Sequence, residues 1–344
     1  MSVPVSTTWL LGACMEAKGK QDLWLQQKPE VLEALREQTI IQSSESSNRI
    51  EGVTIEPQRL RPVVLGTTKP RDRSEEEILG YRRALDWVFT ARDPIPVGTA
   101  TVLRLHELAQ GGLSADAGRL KERDNEIIEL LPNGERRVRF RTTPAKETAK
   151  TLEQLLLGYR QVSQQGPHPA LLAIASCVFD LLCIHPFRDG NGRASRLLTT
   201  LLLGQQGFEV ARYISLERLI EQAKEDYYDV LGRSSERWHE GEHDLRPWWN
   251  YLLSIVHQAY GELATRVEAA STVSGKSELI RQAILRQLVP FSLSELRARC
   301  PGASDALIRK VLSTMKTQGQ LRLSGRGRGA RWTLADGPVA DSCD

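Results

Sequence analysis

The chain has 344 residues, of which 40% are hydrophobic and 26% are charged, a composition typical of globular proteins. This composition excludes a disordered or fibrous protein, and at roughly 150 residues per domain the length predicts two or three domains. No apolar run approaches the ~20 residues that a membrane span requires, so we expect a cytoplasmic protein without a membrane partner.

The first elements in chain order are predicted to be helices joined by loops. Apolar residues recur at helical spacing in residues 30–41. A polar, serine-rich segment follows, which predicts a loop with at most a short helix ending at Gly52. Further on, Asn133-Gly134 lies between two runs of strand character, which predicts a β-hairpin over residues 126–140.

The middle of the chain is predicted to be helical. Residues 169–184 are apolar nearly all round, which predicts a buried central helix. Leucines on one face of residues 193–206 predict a second helix, and residues 216–231 and 245–260 complete the set. The sequence therefore predicts a mainly α fold.

The end of the chain has its own pattern and its own charge. After a small, polar segment, it predicts three helices and a second hairpin, the element order of a winged helix. Residues 275–334 hold 12 basic and three acidic side chains, a net charge of +9 in a chain whose total is +3. Such a charge predicts a polyanion partner, with a solvated basic surface or a protein-docking module as alternatives. The residues predicted to face DNA are Arg309, Lys310, Lys316, Arg326 and Arg328.

Base and metal-ligand candidates stand together after the buried helix. His185 supplies a base whose ordinary pKa is close to the working pH. Asp189, four residues later, offers the hard oxygen ligand that Mg²⁺ prefers beside substrate phosphates. A lone histidine after an apolar helix is alternatively a simple helix stop.

A phosphate-binding turn is predicted directly after these two residues. The glycines of residues 190–192 allow a tight turn whose amides converge on an anion, next to the start of a helix. Arg193 and Arg196 share one helical face and can bind phosphates. Base, metal ligand and phosphate turn within 12 residues predict phosphoryl or nucleotidyl transfer.

This segment resembles the Fic family motif, H-x-F-x-D/E-G-N-G-R-x-x-R, at every defined position. The resemblance implies a Fic-type helical domain with a β-hairpin flap, and transfer of AMP from ATP to a Ser, Thr or Tyr hydroxyl of a protein. It implies that His185 deprotonates that hydroxyl, that Asp189 holds Mg²⁺ and that Arg196 meets the γ-phosphate. The ATP-binding residues it implies are Arg188, Gly190, Asn191, Gly192, Arg193, Ala194, Ser195, Arg196 and Tyr227.

An upstream segment resembles the Fic inhibitory motif, S/T-x-x-x-E-G/N, through Ser47, Glu51 and Gly52. In relatives with this arrangement the glutamate pairs with the second arginine of the motif, which is Arg196 here. The resemblance therefore implies that Glu51 blocks productive binding of ATP. An ordinary helix end with a glycine stop is the alternative.

The predicted function is an autoinhibited protein adenylyltransferase. Removal of AMP, transfer of another group by the same fold, and a DNA-binding regulator with a Fic sensor core stay open as alternatives. A homodimer also stays open. The predicted organisation is an N-terminal helical region (1–96, inhibitory motif 47–52), a Fic core (97–264), a linker (265–275), a winged-helix-like domain (276–335) and a tail (336–344).

Overall fold

The computed structural model describes residues 3–25, 29–111, 114–130, 135–165, 168–269, 273–287, 289–300, 302–325 and 330–335. This part of the chain is mainly helical, which confirms the predicted fold class. The chain divides into a first unit, Met1–Gln21 with Gln38–Gly261, and a second unit, Asp22–Glu37 with Glu262–Asp344. Within the described ranges, no helix has the length and hydropathy of a membrane span.

Among the described residues, eleven α-helices, one 3₁₀ helix and one hairpin precede the C-terminal elements. In chain order they are α1 (Val5–Leu25), α2 (Pro29–Ile50), α3 (Pro57–Val64), α4 (Arg73–Thr90), α5 (Thr99–Ala109), β1 (Glu126–Leu130), β2 (Arg136–Arg141), α6 (Ala145–Gln165), α7 (Ala170–Ile184), α8 (Asn191–Gln205), a 3₁₀ helix (Glu209–Arg212), α9 (Leu216–Gln222), α10 (Lys224–Ser235) and α11 (Arg246–Ala269).

The predicted buried helix is confirmed as α7, which packs against α6 and α8. Eleven of its 15 residues are buried, and so are 12 of the 15 residues of α8. Because both helices lie inside the protein, the short turn that joins them is anchored at both ends by the core. This turn carries the predicted base and phosphate-binding residues.

The serine-rich segment is helical, where the sequence predicted a loop with at most a short helix. It forms the second half of α2, and its polar side chains are buried. Serine and asparagine favour loops because their side chains compete for backbone partners. Here Ser44 Oγ donates to the Ile40 carbonyl one turn earlier, at 2.7 Å, and Ser43 Oγ makes a tertiary contact with Glu217 Oε2, at 2.6 Å, so both hydroxyls have partners within a helix. We call this surface the serine face of α2: Thr39, Ser43, Ser44, Ser46, Ser47 and Asn48.

The two strands of the predicted hairpin are confirmed as β1 and β2, which pair antiparallel. Glu126 lies opposite Arg141, and the register shifts between Ile127 and Ile128, where a bulge interrupts the ladder. The predicted turn at Asn133-Gly134 lies outside the described residues.

The predicted helix over residues 216–231 is instead two helices, α9 and α10. Ala223, between them, has φ −114° and ψ 39°, outside the helical region. The break turns the chain, so that α10 begins afresh at Lys224. The described residues of the segment predicted as a linker are helical, because α11 continues to Ala269 and the next helix begins at Val273.

The second unit ends the chain with three helices and a hairpin. These are α12 (Val273–Leu285), α13 (Leu293–Arg299), α14 (Asp305–Thr317), β3 (Leu321–Ser324) and β4 (Arg331–Leu334). Its core includes Ile284, Phe291, Leu296, Ile308 and Leu312. The element order matches the one from which a winged helix is predicted, and that assignment stays a prediction.

Candidate active site

His185 is the C-cap residue of α7 and has a left-handed backbone, with φ 52° and ψ 60°. A non-glycine residue in this region is uncommon, and such residues concentrate at functional sites. The conformation ends the helix and turns the chain toward the motif. His185 thereby becomes part of the lining of a pocket.

The imidazole of His185 is arranged as a neutral base. Its Nδ1 lies 3.2 Å from the carbonyl oxygen of Leu182, a contact in which the ring nitrogen donates its proton. Nε2 is then the unprotonated nitrogen. Burial lowers the pKa of His185 to about 4, so the ring is neutral at pH 7 and can accept a proton.

The pocket beside His185 has a volume of about 270 Å³, near the lower end for small-molecule sites. Glu51 and Gly192 line it next to the histidine, and Phe140 of the hairpin contributes a further wall. Tyr227 and Tyr228 of α10 also line the pocket, so that aromatic rings border a cavity with the base at its wall.

The turn before α8 is shaped by Asn191 and Gly190. The Asn191 side chain accepts from the Phe187 amide and donates to the Phe187 carbonyl, both at 2.9 Å. Gly190 has φ 79°, and a Cβ there would overlap Nε2 of Gln110. Glycine is therefore required at this position, and the Asn191 side chain fixes the loop that carries the first amides of α8.

Ser47, Glu51 and Arg196, predicted to act together, come together in the structure. Arg196 donates from Nε to Ser47 Oγ and from Nη2 to the Ser47 carbonyl, each at 2.9 Å. Nη2 also lies 2.7 Å from Glu51 Oε1. A Cβ at Gly192 would overlap that same oxygen, so the carboxylate packs directly on the glycine at the start of α8.

Arg193 is buried outside this pocket. Its Nη1 lies 2.7 Å from Glu77 Oε2 and 3.3 Å from Asn48 Oδ1. Arg193 thus pairs with a different carboxylate from Arg196, although the sequence predicts that both arginines bind one triphosphate. Glu77 is a partner that sequence reasoning did not include in the site.

Asp189 faces a second, more polar pocket, on which Arg73, His106 and Arg188 also lie. Its Oδ2 is 3.7 Å from both Arg73 and Arg193, and its side chain is 66% exposed. The structure thus does not bring Asp189 into the pocket of His185. Among the residues described, no group of three or more His, Cys, Asp or Glu could hold a metal ion.

His106 of α5 positions the motif turn and was missed by sequence reasoning. Its Nε2 lies 2.9 Å from the Asp189 carbonyl and its Nδ1 accepts from the Gly118 amide at 3.0 Å. The ring stacks on Phe187 with centroids 3.7 Å apart. Burial lowers the pKa of His106 to about 4, consistent with a neutral ring in this network. A single histidine in a helix gives no local signal of such a role.

Lys121 is a second residue that the sequence did not reveal. Its Nζ donates to Asn125 Oδ1, Thr142 Oγ1 and the Ile184 carbonyl at 2.9, 2.7 and 3.1 Å. Ile184 directly precedes His185, so the lysine connects the residues that flank the hairpin to the end of α7. Burial lowers the pKa of Lys121 to about 8.

The other predicted residues fall in several places. Ala194 and Ser195 are buried in α8, and Ser195 Oγ donates to the Gly192 carbonyl at 2.8 Å. Arg188 is exposed and 3.4 Å from Asp116. The residues predicted for DNA that are exposed on α14 are Arg309, Lys310 and Lys316. Arg326 and Arg328 lie outside the described residues.

Comparison with known proteins gives one family match. Residues 96–203 match the model of the Fic/DOC family. This interval contains α5, both strands of the hairpin, α7 and most of α8. It includes His185, Asp189 and both arginines, but not Glu51.

Two curated relatives carry the name protein adenylyltransferase Fic. The chain is 30% identical to the one from Aedes aegypti over 143 residues, 41% of this chain and 26% of the relative. It is 26% identical to the one from Nematostella vectensis over 218 residues, 60% of this chain and 44% of the relative. The matched segments thus span less than half of either relative.

Similarity to solved structures extends over the whole chain. A crystal structure of a Fic family protein from Desulfovibrio desulfuricans G20 matches with a TM-score of 0.63 and 20% identity, covering 98% of both chains. At this identity the comparison establishes the fold alone.

Proposed function

Residues 96–203 form a Fic/DOC family domain, and we propose that the protein is an autoinhibited adenylyltransferase that transfers AMP from ATP to a Ser, Thr or Tyr hydroxyl of a protein. One observation carries this proposal above the others. A neutral, half-buried His185 lines the same pocket as Gly192, at the start of a helix whose Arg196 already binds a carboxylate. A base beside an occupied anion site is the arrangement that nucleotidyl transfer requires.

The base acts on the hydroxyl of the target protein. His185 Nε2 accepts the hydroxyl proton while the oxygen attacks the α-phosphorus of ATP. The new oxygen–phosphorus bond replaces the bond between the α-phosphorus and the bridging oxygen, and pyrophosphate leaves. The protein then carries AMP on its hydroxyl oxygen.

Several groups near Gly192 support a triphosphate in this pocket. The amides of the first turn of α8 and the positive end of its dipole favour an anion. Among the described residues, Arg196 Nη1 is buried without a hydrogen-bond partner of good geometry. This nitrogen is 3.1 Å from a Cβ built at Gly192, so a phosphate over the glycine would supply an acceptor. Tyr227 and Tyr228 line the same pocket and would border the adenine ring of ATP.

Asp189 fits the proposed Mg²⁺ through the chemistry of its side chain. Mg²⁺ is commonly bound by one or two carboxylates together with substrate phosphates and water. The Asp189 carboxylate is exposed, and Oδ2 lies 3.7 Å from Arg73 and from Arg193. Asp189 lines the pocket next to that of His185, so an ion held there would supply positive charge only to a phosphate that reaches the side of the turn on which Asp189 lies.

Autoinhibition is proposed from the place that Glu51 occupies. Its carboxylate lies on Gly192 and on Arg196, where the terminal phosphate of ATP would bind. The Glu51 carboxylate and a phosphate bound to the same arginine would repel each other strongly. ATP would therefore bind productively only after Glu51 leaves Arg196.

Intact-mass analysis after incubation with Mg-ATP tests the function. Glu51→Gly should gain the mass of AMP on itself or on an added protein more readily than the wild type. His185→Ala in the Glu51→Gly background should lose the labelling by a factor of roughly 10² to 10⁴, the usual contribution of a general base. Labelling that survives without His185 contradicts the mechanism. Other nucleotide and phosphate donors in the same assay test the alternative transfers.

DNA binding by the second unit is a second candidate function. The outward face of α14 exposes Arg309, Lys310 and Lys316, and among the described residues none of these three forms an ion pair. Binding to duplex DNA should weaken steeply with salt, with a slope of about −0.9 per phosphate contact. A flat salt dependence contradicts this candidate.

A further inference from the structure

Glu51, the proposed inhibitory residue, lies at the end of α2, where two backbone hydrogen bonds close the helix. The Gly52 amide donates to the Arg49 carbonyl at 3.0 Å, and the Val53 amide donates to the Asn48 carbonyl at 2.9 Å. Gly52 has φ 82°, which completes the pattern of a Schellman motif with Glu51 as the C-cap. These two bonds leave the carbonyl of Ile50 without a partner from its own helix.

A residue from another helix supplies that partner. Lys224 Nζ donates to the Ile50 carbonyl at 2.7 Å. A cation at the C-terminal end of a helix is favourable because it faces the negative end of the helix dipole. Lys224 is also the first residue of α10, and its Nζ lies 5.9 Å from the ring centroid of Tyr228 in the pocket wall.

The same stretch of chain makes a second contact with the last turn of α2. Arg49 Nε lies 2.9 Å from Glu221 Oε1. Glu221 is near the end of α9, three residues before Lys224. The junction of α9 and α10 therefore binds α2 immediately before the residue that contacts Arg196.

We propose that Lys224 is a positioning residue for Glu51. By binding the end of α2, it keeps the Glu51 carboxylate on Arg196 and so lowers the affinity for ATP. This inference rests on the proposed autoinhibition. Glu51 reaches Arg196 from the end of a helix, so a change in how that end is anchored changes the fraction of molecules in which the carboxylate is engaged.

Calorimetric titration with Mg-ATP of the wild type and three variants tests the proposal: Lys224→Met, Glu51→Gly and the double variant. Lys224→Met keeps the aliphatic stem and removes the donor, and it should tighten ATP binding roughly threefold to tenfold, the value of one hydrogen bond. In the Glu51→Gly background it should have no effect. Lys224→Arg, which keeps a cationic donor, should bind ATP with the affinity of the wild type. Lys146→Met, which removes an exposed lysine 3.7 Å from Glu147, is the control and should change nothing.

The outcomes separate the two proposals. If Glu51→Gly neither tightens ATP binding nor raises labelling with AMP, autoinhibition itself is wrong and the role of Lys224 falls with it. If it raises labelling without tightening binding, autoinhibition stands and the proposed effect of Lys224 on affinity is overturned. If Glu51→Gly tightens binding and Lys224→Met does not, the positioning role alone is overturned. Weaker binding by Lys224→Met in both backgrounds would assign the lysine to the nucleotide pocket and overturn the role as well.

Amide exchange gives a readout that does not depend on ATP. The amides of Gly52 and Val53 are protected by the helix end, and their exchange should accelerate in Lys224→Met while that of α7 stays unchanged. Unchanged exchange at Gly52 and Val53 overturns the proposal.

Discussion

The two arginines of the motif lie one turn apart on α8, yet the regions that bind them differ. Arg193 pairs with Glu77 of α4, and the two side chains are 2% and 3% exposed. Arg196 pairs with Glu51 after the end of α2, and the acceptor is 31% exposed. Glu77 has a second partner as well, because Arg73 Nε lies 2.6 Å from its Oε1.

This difference separates a permanent contact from a replaceable one. Breaking a fully buried ion pair leaves a charge without compensation inside the protein. A partly exposed carboxylate is instead rehydrated when it leaves its partner, and its interaction is screened by solvent. We therefore expect Arg193 to hold α8 in place, and Arg196 to exchange one anion for another.

Removing each carboxylate tests the comparison most strongly. Glu77→Ala should lower the free energy of unfolding by about 3–5 kcal/mol, because the buried Arg193 loses its counter-ion. Glu51→Ala should lower it by less than Glu77→Ala does, because the Glu51 carboxylate is 31% exposed and water can replace it on Arg196, although Arg196 itself is only 4% exposed. Urea unfolding of both variants measures these values. Equal losses would show that the two pairs have the same role.

The pH dependence of activity tests the site further. Both arginines stay charged over the whole pH range in which the protein can be assayed, so they do not contribute to it. Loss of activity at low pH should then report the base. With its pKa lowered to about 4, His185 stays neutral as the pH falls below its ordinary value of 6.5. In Glu51→Gly, kcat/KM should stay constant from neutral pH to about pH 5, and it should fall tenfold per pH unit below about pH 4. An acid limb near pH 6.5 would contradict a base that is neutral because its pKa is lowered.

The smallest expected effect concerns the helix end that carries Glu51. Gly52 has φ +82° with open space around it, so Gly52→Ala adds backbone strain without a clash. It should lower stability by about 1 kcal/mol. Gly158→Ala, at an open position inside α6, should raise stability by about 0.5–1 kcal/mol. Thermal unfolding compares the two, and a stabilising Gly52→Ala would contradict the Schellman geometry.

Much of the fold could be predicted because its signals are local. The apolar run of α7 and the two strands on either side of Asn133-Gly134 can each be recognised from a few consecutive residues. The second half of α2 could not be predicted, since Ser43 finds its partner in Glu217, a residue distant in the sequence.

The candidate site shows the same division. His185 and Gly192 of the motif line one pocket, and Glu51 lies against Arg196, the arginine with which the inhibitory resemblance pairs it. Sequence spacing could not reveal that Arg193 turns to Glu77, 116 residues away. The role of His106 was hidden for the same reason, because it acts on Asp189 from 83 residues upstream.

The serine face of α2 has a consequence for temperature dependence. The heat capacity change of a transition grows with the apolar area that becomes hydrated and falls with the polar area. The second half of α2 packs mostly through hydroxyl and amide groups, with Ile50 as the large buried apolar side chain at its end, so its separation exposes more polar than apolar surface. The equilibrium between engaged and released Glu51 should therefore follow a nearly straight van't Hoff line, and warming should alter it far less than a phosphate ligand does.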